Sequence, residues 1–205
     1  MAFILGRMDL DNNATWLEID LAALESNYKH ITKLTNTAVM PVVKANAYGH
    51  GLEDVARRFE KAGAEWLGVA RIEEAIQLRN SGVTNKILVL GYTPPQRVGD
   101  ALKNEIHLTV YDQAVAVEYA AQARTYNRQL ALHVKVETGM GRLGIEPDKT
   151  LILLRFLKNR PEFYVEGLFT HFARADEPEA PTTERQLTIF NKILAESENL
   201  VYVRR

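Results

Sequence analysis

The chain has 205 residues, 46% of them hydrophobic and 25% charged, the balance of an ordinary soluble globular protein. Lysine plus arginine (25) nearly equals aspartate plus glutamate (26), for a net charge of -1, which points away from nucleic acid or any other polyanionic partner. There is no cysteine, so disulfides, thiolate nucleophiles and cysteine zinc sites are excluded, as suits a reducing cytoplasm.

The start, MAFILGRMDLDNNATW, carries a short apolar patch. It lacks the basic region, long apolar core and cleavage site of a signal peptide. Residues 1–13 read as an N-terminal extension ahead of one domain at 14–205. No stretch approaches the roughly 18–20 apolar residues of a membrane span, so no membrane partner is expected.

After WLEID a helix is predicted over 21–34. From residue 39 two patterns alternate. The β-rich runs are 39–45, 65–70, 86–91, 106–110, 130–138 and 165–172. Between them lie stretches with apolar residues three and four apart, the helical period. LEDVARRFEKAG (52–63) puts Leu52, Val55, Ala56 and Phe59 on one face and ends at Gly63, a C-cap. RIEEAIQLRNSG (71–82) repeats this with Ile72, Ala75, Ile76 and Leu78–Arg79, ending at Gly82. Further helices are predicted over 95–104, 112–126, 148–160 and 183–197.

Strand–helix repetition implies parallel strands with crossover helices. The strands are too apolar for a one-sided sheet, so both faces should be buried. A doubly wound open sheet and a (β/α)8 TIM-type barrel both fit, and the near-regular unit lengths favour the barrel. A closed barrel needs eight strands, whereas about six βα units are present; ENLVYVRR supplies part of a seventh at best. An open barrel exposes strand edges. The expectation is therefore an incomplete barrel, a piece of a larger protein or one completed by another chain.

Three stretches carry chemistry. In VVKANAYGHG (42–51) an apolar run leads straight into Lys44. Desolvation lowers a lysine pKa, and a neutral amine can attack a carbonyl to form a Schiff base. The alternative is a strand-end lysine that snorkels to the surface. In TGMGRLG (138–144), Gly139, Gly141 and Gly144 match G-x-G-x-x-G. A dinucleotide fingerprint is rejected, because its glycines open the helix, whereas here the helix should begin near Pro147, after them. Arg142 at the centre of this loop offers a planar fork of donors to an anionic oxygen, a phenolate or a carboxylate; the alternative is a tight turn with a surface arginine. In GLFTHFARAD (167–176), His171 ends an apolar strand, where an imidazole is either structural or stacked on an aromatic cofactor. No ligand-spaced histidines or carboxylates accompany it, so no metal is predicted. His50 and His107 receive no role, and His133 is expected to be packed in a strand.

Together AVMPVVKANAYGHG, KVETGMGRLG and EGLFTHFARAD, with TWLEIDLAALESNYKHI and ILVLG, resemble the N-terminal barrel of the pyridoxal-phosphate-dependent alanine racemases, over about residues 14–195. The resemblance implies a cytoplasmic isomerase that interconverts L- and D-alanine for cell-wall precursors. Lys44 would carry pyridoxal 5'-phosphate and act as one of two catalytic bases. Tyr48 would reach the cofactor phosphate, and Leu90 would pack at the cofactor. Arg142 would contact the phenolic oxygen and the substrate carboxylate, and His171 would stack near the ring. Lys135 matches a position that in relatives is often a carbamylated lysine bridging to that arginine. In the family the second base is a tyrosine from a C-terminal β-domain of the partner subunit in a homodimer. That domain and the last two barrel strands are not in the sequence, so the chain reads as C-terminally truncated and impaired as a racemase. Alternatives are a pyridoxal-phosphate carrier without racemase activity and a racemase of another amino acid.

Overall fold

The computed structural model describes residues 15–177 and 179–200. The extension at 1–13 and the final VYVRR, the possible start of a seventh strand, lie outside them. Among the described residues no helix is long and apolar enough to cross a membrane.

The first helix, α1 (Leu21–Thr35), starts where Asp20 accepts hydrogen bonds from the N–H groups of Ala22 and Ala23, at 2.8 and 3.0 Å. Such a cap satisfies two of the donors a helix leaves open at its start. A short turn, α2 (Lys44–Tyr48), follows. Then come α3 (Leu52–Lys61), β1 (Trp66–Val69), α4 (Ile72–Asn80), β2 (Lys86–Val89), a 3₁₀ turn leading into α5 (Val98–Lys103), and β3 (Ile106–Val110). The chain continues through α6 (Gln113–Tyr126), β4 (Leu130–Lys135), α7 (Pro147–Lys158), β5 (Phe163–Phe169) and α8 (Pro181–Ser197). The helix that follows the glycine loop begins at Pro147, as the sequence predicts; proline fits there because a first-turn N–H has no partner inside the helix.

All five strands are parallel, and their spatial order is β1-β2-β3-β4-β5. Each new strand is laid beside the last, on the same side. A doubly wound sheet reverses direction at a switch point, and none occurs among the described residues. The architecture is therefore the barrel type, shown here as an arc of five strands. The run expected to be its first strand, 39–45, is reduced to one parallel bridge, Val42 with Gly68. Two backbone bonds flank it: the Val43 N–H donates to the Gly68 oxygen at 2.8 Å, and the Gly68 N–H to the Pro41 oxygen at 2.9 Å. The sixth unit is present, but as a bridge and not a full strand.

The core lies between sheet and helices. Leu67, Val69, Ile87, Val89, Leu108, Leu132 and Val134 are all fully buried, against Ala56, Ala75, Leu78, Ala101, Leu154 and Leu157 from the helices. The α3 and α4 faces read from the sequence point inward: Leu52, Val55, Ala56, Ile72, Ala75 and Leu78 are buried. The opposite face of the sheet is mixed. Leu88 and Thr109 are buried there, whereas Lys86, His107, His133, Lys135 and Glu166 are charged or titratable. Burial of both faces therefore holds at mid-sheet and gives way toward β5, where Tyr164 is 40% exposed.

Candidate active site

Lys44 leaves the strand-like run and enters α2, whose backbone is unusual. Ala45, Asn46, Ala47 and Tyr48 all have φ between 51° and 56°, so the turn is left-handed. For residues with a Cβ this costs roughly 1–2 kcal/mol each. Other groups must hold it. The Glu74 carboxylate accepts from the Ala45 N–H at 2.7 Å with one oxygen, and from the Ala70 and Arg71 N–H groups at 2.8 and 3.0 Å with the other. Asn46 closes the far side, its side-chain oxygen accepting from the Leu52 N–H at 2.8 Å. Gly49 and Gly51, at φ 90° and 94°, then release the chain into α3. The result fixes the direction of Lys44, which is half-buried with its Nζ 5.9 Å from the Tyr48 ring centroid. Strain of this kind, over-determined by its surroundings, is characteristic of functional sites.

The glycine loop after β4 is organised by a residue the sequence reading passed over. Glu137 accepts from the backbone N–H groups of Gly139, Gly141 and Arg142 at 2.5, 2.9 and 3.1 Å. Burial pushes its carboxyl pKa up, but these bonds outweigh it and hold the pKa below the usual value. Gly144 sits so close to β4 that a Cβ would lie 2.5 Å from the Glu137 nitrogen. The loop thus carries Arg142, exposed, toward the strand tips. A run of backbone N–H groups needs an anionic acceptor, so a glutamate just ahead of the glycines was the available signal.

A second organiser comes from α8. Gln186 is 2% exposed, and its amide makes three bonds: Nε2 donates to Thr138 Oγ1 (3.1 Å) and the His171 carbonyl (3.0 Å), and Oε1 accepts from the Ala173 N–H (2.9 Å). Thr138 and Thr170 join through their hydroxyls at 2.7 Å. One buried side chain thereby ties the Arg142 loop to the His171 loop. No local pattern reveals it, because its partners lie 13 to 48 residues away in sequence.

The tips converge electrostatically. The Lys135 pKa is lowered by burial first, then by the charges of Arg142 and Lys44, against the opposing pull of Glu137. That of His171 is lowered by burial, then by Arg142, Lys135 and Lys44. Lys135 and His171 therefore both lie within electrostatic reach of Arg142 and Lys44. Lys135 is only 6% exposed, its Nζ 5.5 Å from the Phe169 ring centroid. Leu90 follows β2 and faces the space above Gly68, where an added Cβ would lie 3.2 Å from its Cδ1. Tyr48 is 61% exposed. All six residues picked from the sequence thus lie on the loops and strand ends at the carboxyl side of the sheet, where parallel α/β folds place their chemistry.

Residues 19–204 match the family model for the alanine racemase N-terminal domain. The chain belongs to that family. Alanine racemase from Symbiobacterium thermophilum is 41% identical over 191 residues, covering 92% of this chain and 51% of that protein. The solved structure of alanine racemase from Clostridium difficile 630 superposes with a TM-score of 0.88 at 34% identity, covering 95% of this chain and 55% of that one. A histidine racemase from Leuconostoc mesenteroides also superposes, with a TM-score of 0.80 at 28% identity over 84% of this chain and 47% of its own. The chain spans about half the length of the curated relatives it matches.

Proposed function

We propose that this chain is the pyridoxal 5'-phosphate-binding part of an amino-acid racemase, with alanine as substrate. The observation that carries the reading is the position of Lys44, Lys135, Arg142 and His171 on strand ends and loops at the same side of the sheet, with Lys135 and His171 both within electrostatic reach of the two other cations. The nearby carboxylate, Glu137, is committed to backbone donors, so the site keeps a positive balance. That balance suits a ligand with a phosphate, a phenolic oxygen and, beside it, a substrate carboxylate. When bound, the cofactor delocalises the electron pair left on the substrate Cα after its proton departs.

Each residue then has a role, carried over from the resemblance. The Lys44 amine would hold the cofactor through its aldehyde and would move the Cα proton on one face of the substrate. The Tyr48 hydroxyl bonds the phosphate, and its exposure leaves that hydroxyl open to a ligand. The Arg142 fork bonds the phenolic oxygen and the substrate carboxylate. Lys135 stands at the position that relatives often carbamylate; addition of CO2 with loss of a proton would turn it into an anion paired with Arg142, leaving Arg142 and Lys44 as the cations that face the ligand. Leu90 and His171 border the ring. Racemisation needs a base on the opposite face as well. The resemblance assigns that base to a tyrosine of a partner subunit in a homodimer.

Alanine is favoured over other substrates by curated relatives near 40% identity that are named alanine racemases. The histidine racemase neighbour keeps a second amino acid in play, since the same barrel serves it. The test is covalent capture. The folded chain is incubated with pyridoxal 5'-phosphate, reduced with borohydride and mapped by mass spectrometry. Label concentrated on Lys44, and absent from Lys44→Ala, supports the reading. Label spread over surface lysines, with Lys44 bare, overturns it.

A further inference from the structure

Away from the strand tips, the helix-free face of the sheet gathers three residues that could share one ion. His107 is the second residue of β3, His133 the fourth of β4 and Glu166 the fourth of β5. Adjacent parallel strands bring them side by side, although 26 and 33 residues separate them in sequence, which is why no ligand spacing shows in the primary structure. One ligating atom from each lies within 4.8 Å of the others.

Two ring nitrogens here lack hydrogen-bond partners. His133 Nε2 is buried and unpaired, while its Nδ1 side packs against Gly167, where a Cβ would lie 2.7 Å away. His107 Nδ1 is 3.1 Å from Glu166 Oε2 but makes no hydrogen bond to it. Leaving a buried polar atom unpaired is costly, and each such atom needs a physical reason. Trp66 walls the site edge-on to both rings, at 4.8 and 5.0 Å between centroids. Lys86 donates to the other carboxylate oxygen, Oε1, at 2.5 Å and lies over the Trp66 ring. That contact engages Oε1 and leaves Oε2 facing His107 Nδ1.

We propose that His107, His133 and Glu166 bind a divalent transition-metal ion of the zinc type on this face of the sheet. Two imidazoles and a carboxylate suit zinc, cobalt or nickel far better than magnesium or calcium, which take all-oxygen shells. Zinc lies about 2.0–2.2 Å from nitrogen and oxygen ligands, so tetrahedral ligands stand about 3.3 Å apart. The His107–Glu166 pair, at 3.1 Å, is close to that separation, and the His133 ligand atom lies within 4.8 Å of both. The two rings lie 5.7 Å apart between centroids, and each has an unpaired buried nitrogen. A neutral ring keeps its lone pair for a metal. The Lys86 ammonium is the competing charge, on a side chain that is 48% exposed.

The site is independent of the cofactor, so its test needs none. The intact chain is stripped with a chelator and titrated with cobalt(II), then zinc. Visible d–d bands of low-coordinate cobalt, displaced by one equivalent of zinc, are expected, together with a zinc-dependent rise in melting temperature of a few degrees. Affinity should fall at least tenfold in His133→Ala and in Glu166→Gln, a near-isosteric change that keeps the packing should the first variant fail to fold. Lys86→Met removes the competing charge and should tighten binding. Bands of equal strength in wild type and Glu166→Gln would place the ion elsewhere and overturn the proposal, as would a flat cobalt titration. The latter result leaves ordered water as the partner of the two ring nitrogens.

Discussion

The helix-covered face of the sheet and the carboxyl tips of the same strands are built by different means. On the covered face, regular strands and helices bury Leu, Val, Ile and Ala, and any one of many similar sequences would pack there. At the tips the backbone is irregular, left-handed in α2 and glycine-dependent after β4, and single polar side chains hold it. Stability on the first face is spread over many atoms. At the tips, geometry depends on Glu74, Glu137 and Gln186, each with several backbone partners. Substitutions should therefore change stability on one face, and ligand geometry at the other.

The largest expected effect is on the covered face. Leu132 is fully buried in the middle of β4, between β3 and β5. Leu132→Ala removes three heavy atoms from a packed site and should cost about 2–5 kcal/mol. Urea unfolding would measure it. Cofactor labelling of Lys44 in the fraction that stays folded should be unaltered. A loss of labelling without a loss of stability would erase the division between the two regions.

Gln186→Ala tests the opposite side of the comparison. It leaves the Ala173 N–H and the His171 carbonyl without their buried partner, at about 1–3 kcal/mol. Unlike the leucine change, it should also loosen the Arg142 and His171 loops. Several-fold weaker binding of pyridoxal 5'-phosphate is expected, with Lys44 still labelled at saturating cofactor. If binding is unchanged while stability drops, Gln186 is scaffold only and the tips are less dependent on it than its bonds indicate.

The same division explains what could be read from sequence. Helical and strand periods report burial, so α3, α4 and the arc of parallel strands were legible, and the start of α7 at Pro147 followed from the way proline disfavours a helical residue before it. Lys44 and His171 stood out because charged or titratable residues at the ends of apolar runs break the pattern, and Arg142 because it sits at the centre of a glycine loop. The left-handed sense of α2 left no such mark, since Ala45, Asn46 and Ala47 are ordinary helix or turn residues by composition. The run at 39–45 carried a strand's composition but pairs through one bridge only. The His107–His133–Glu166 cluster exists only once three strands are aligned in register, and register is not a property of any one segment.

The smallest predicted effect has the opposite sign to the others and bears on why α2 is strained. Ala45 sits at φ 52° and ψ 51°, exposed to solvent, with its N–H held by Glu74. The left-handed region costs a residue with a Cβ roughly 1–2 kcal/mol, and glycine escapes that cost. Glycine loses about 0.5–1 kcal/mol more conformational entropy on folding, which offsets part of the gain. Ala45→Gly should therefore stabilise the chain by about 0.5–1 kcal/mol, a rise in melting temperature of about 1–4 °C for a chain of this size. The matched control is Ala56→Gly in α3, fully buried in a regular right-handed helix, which should lose at least about 1 kcal/mol. Opposite signs for one substitution at two alanines would locate the strain in the turn that aims Lys44. Equal losses at both would mean that Glu74 and Asn46 relieve the turn completely, and that its handedness carries no stored energy.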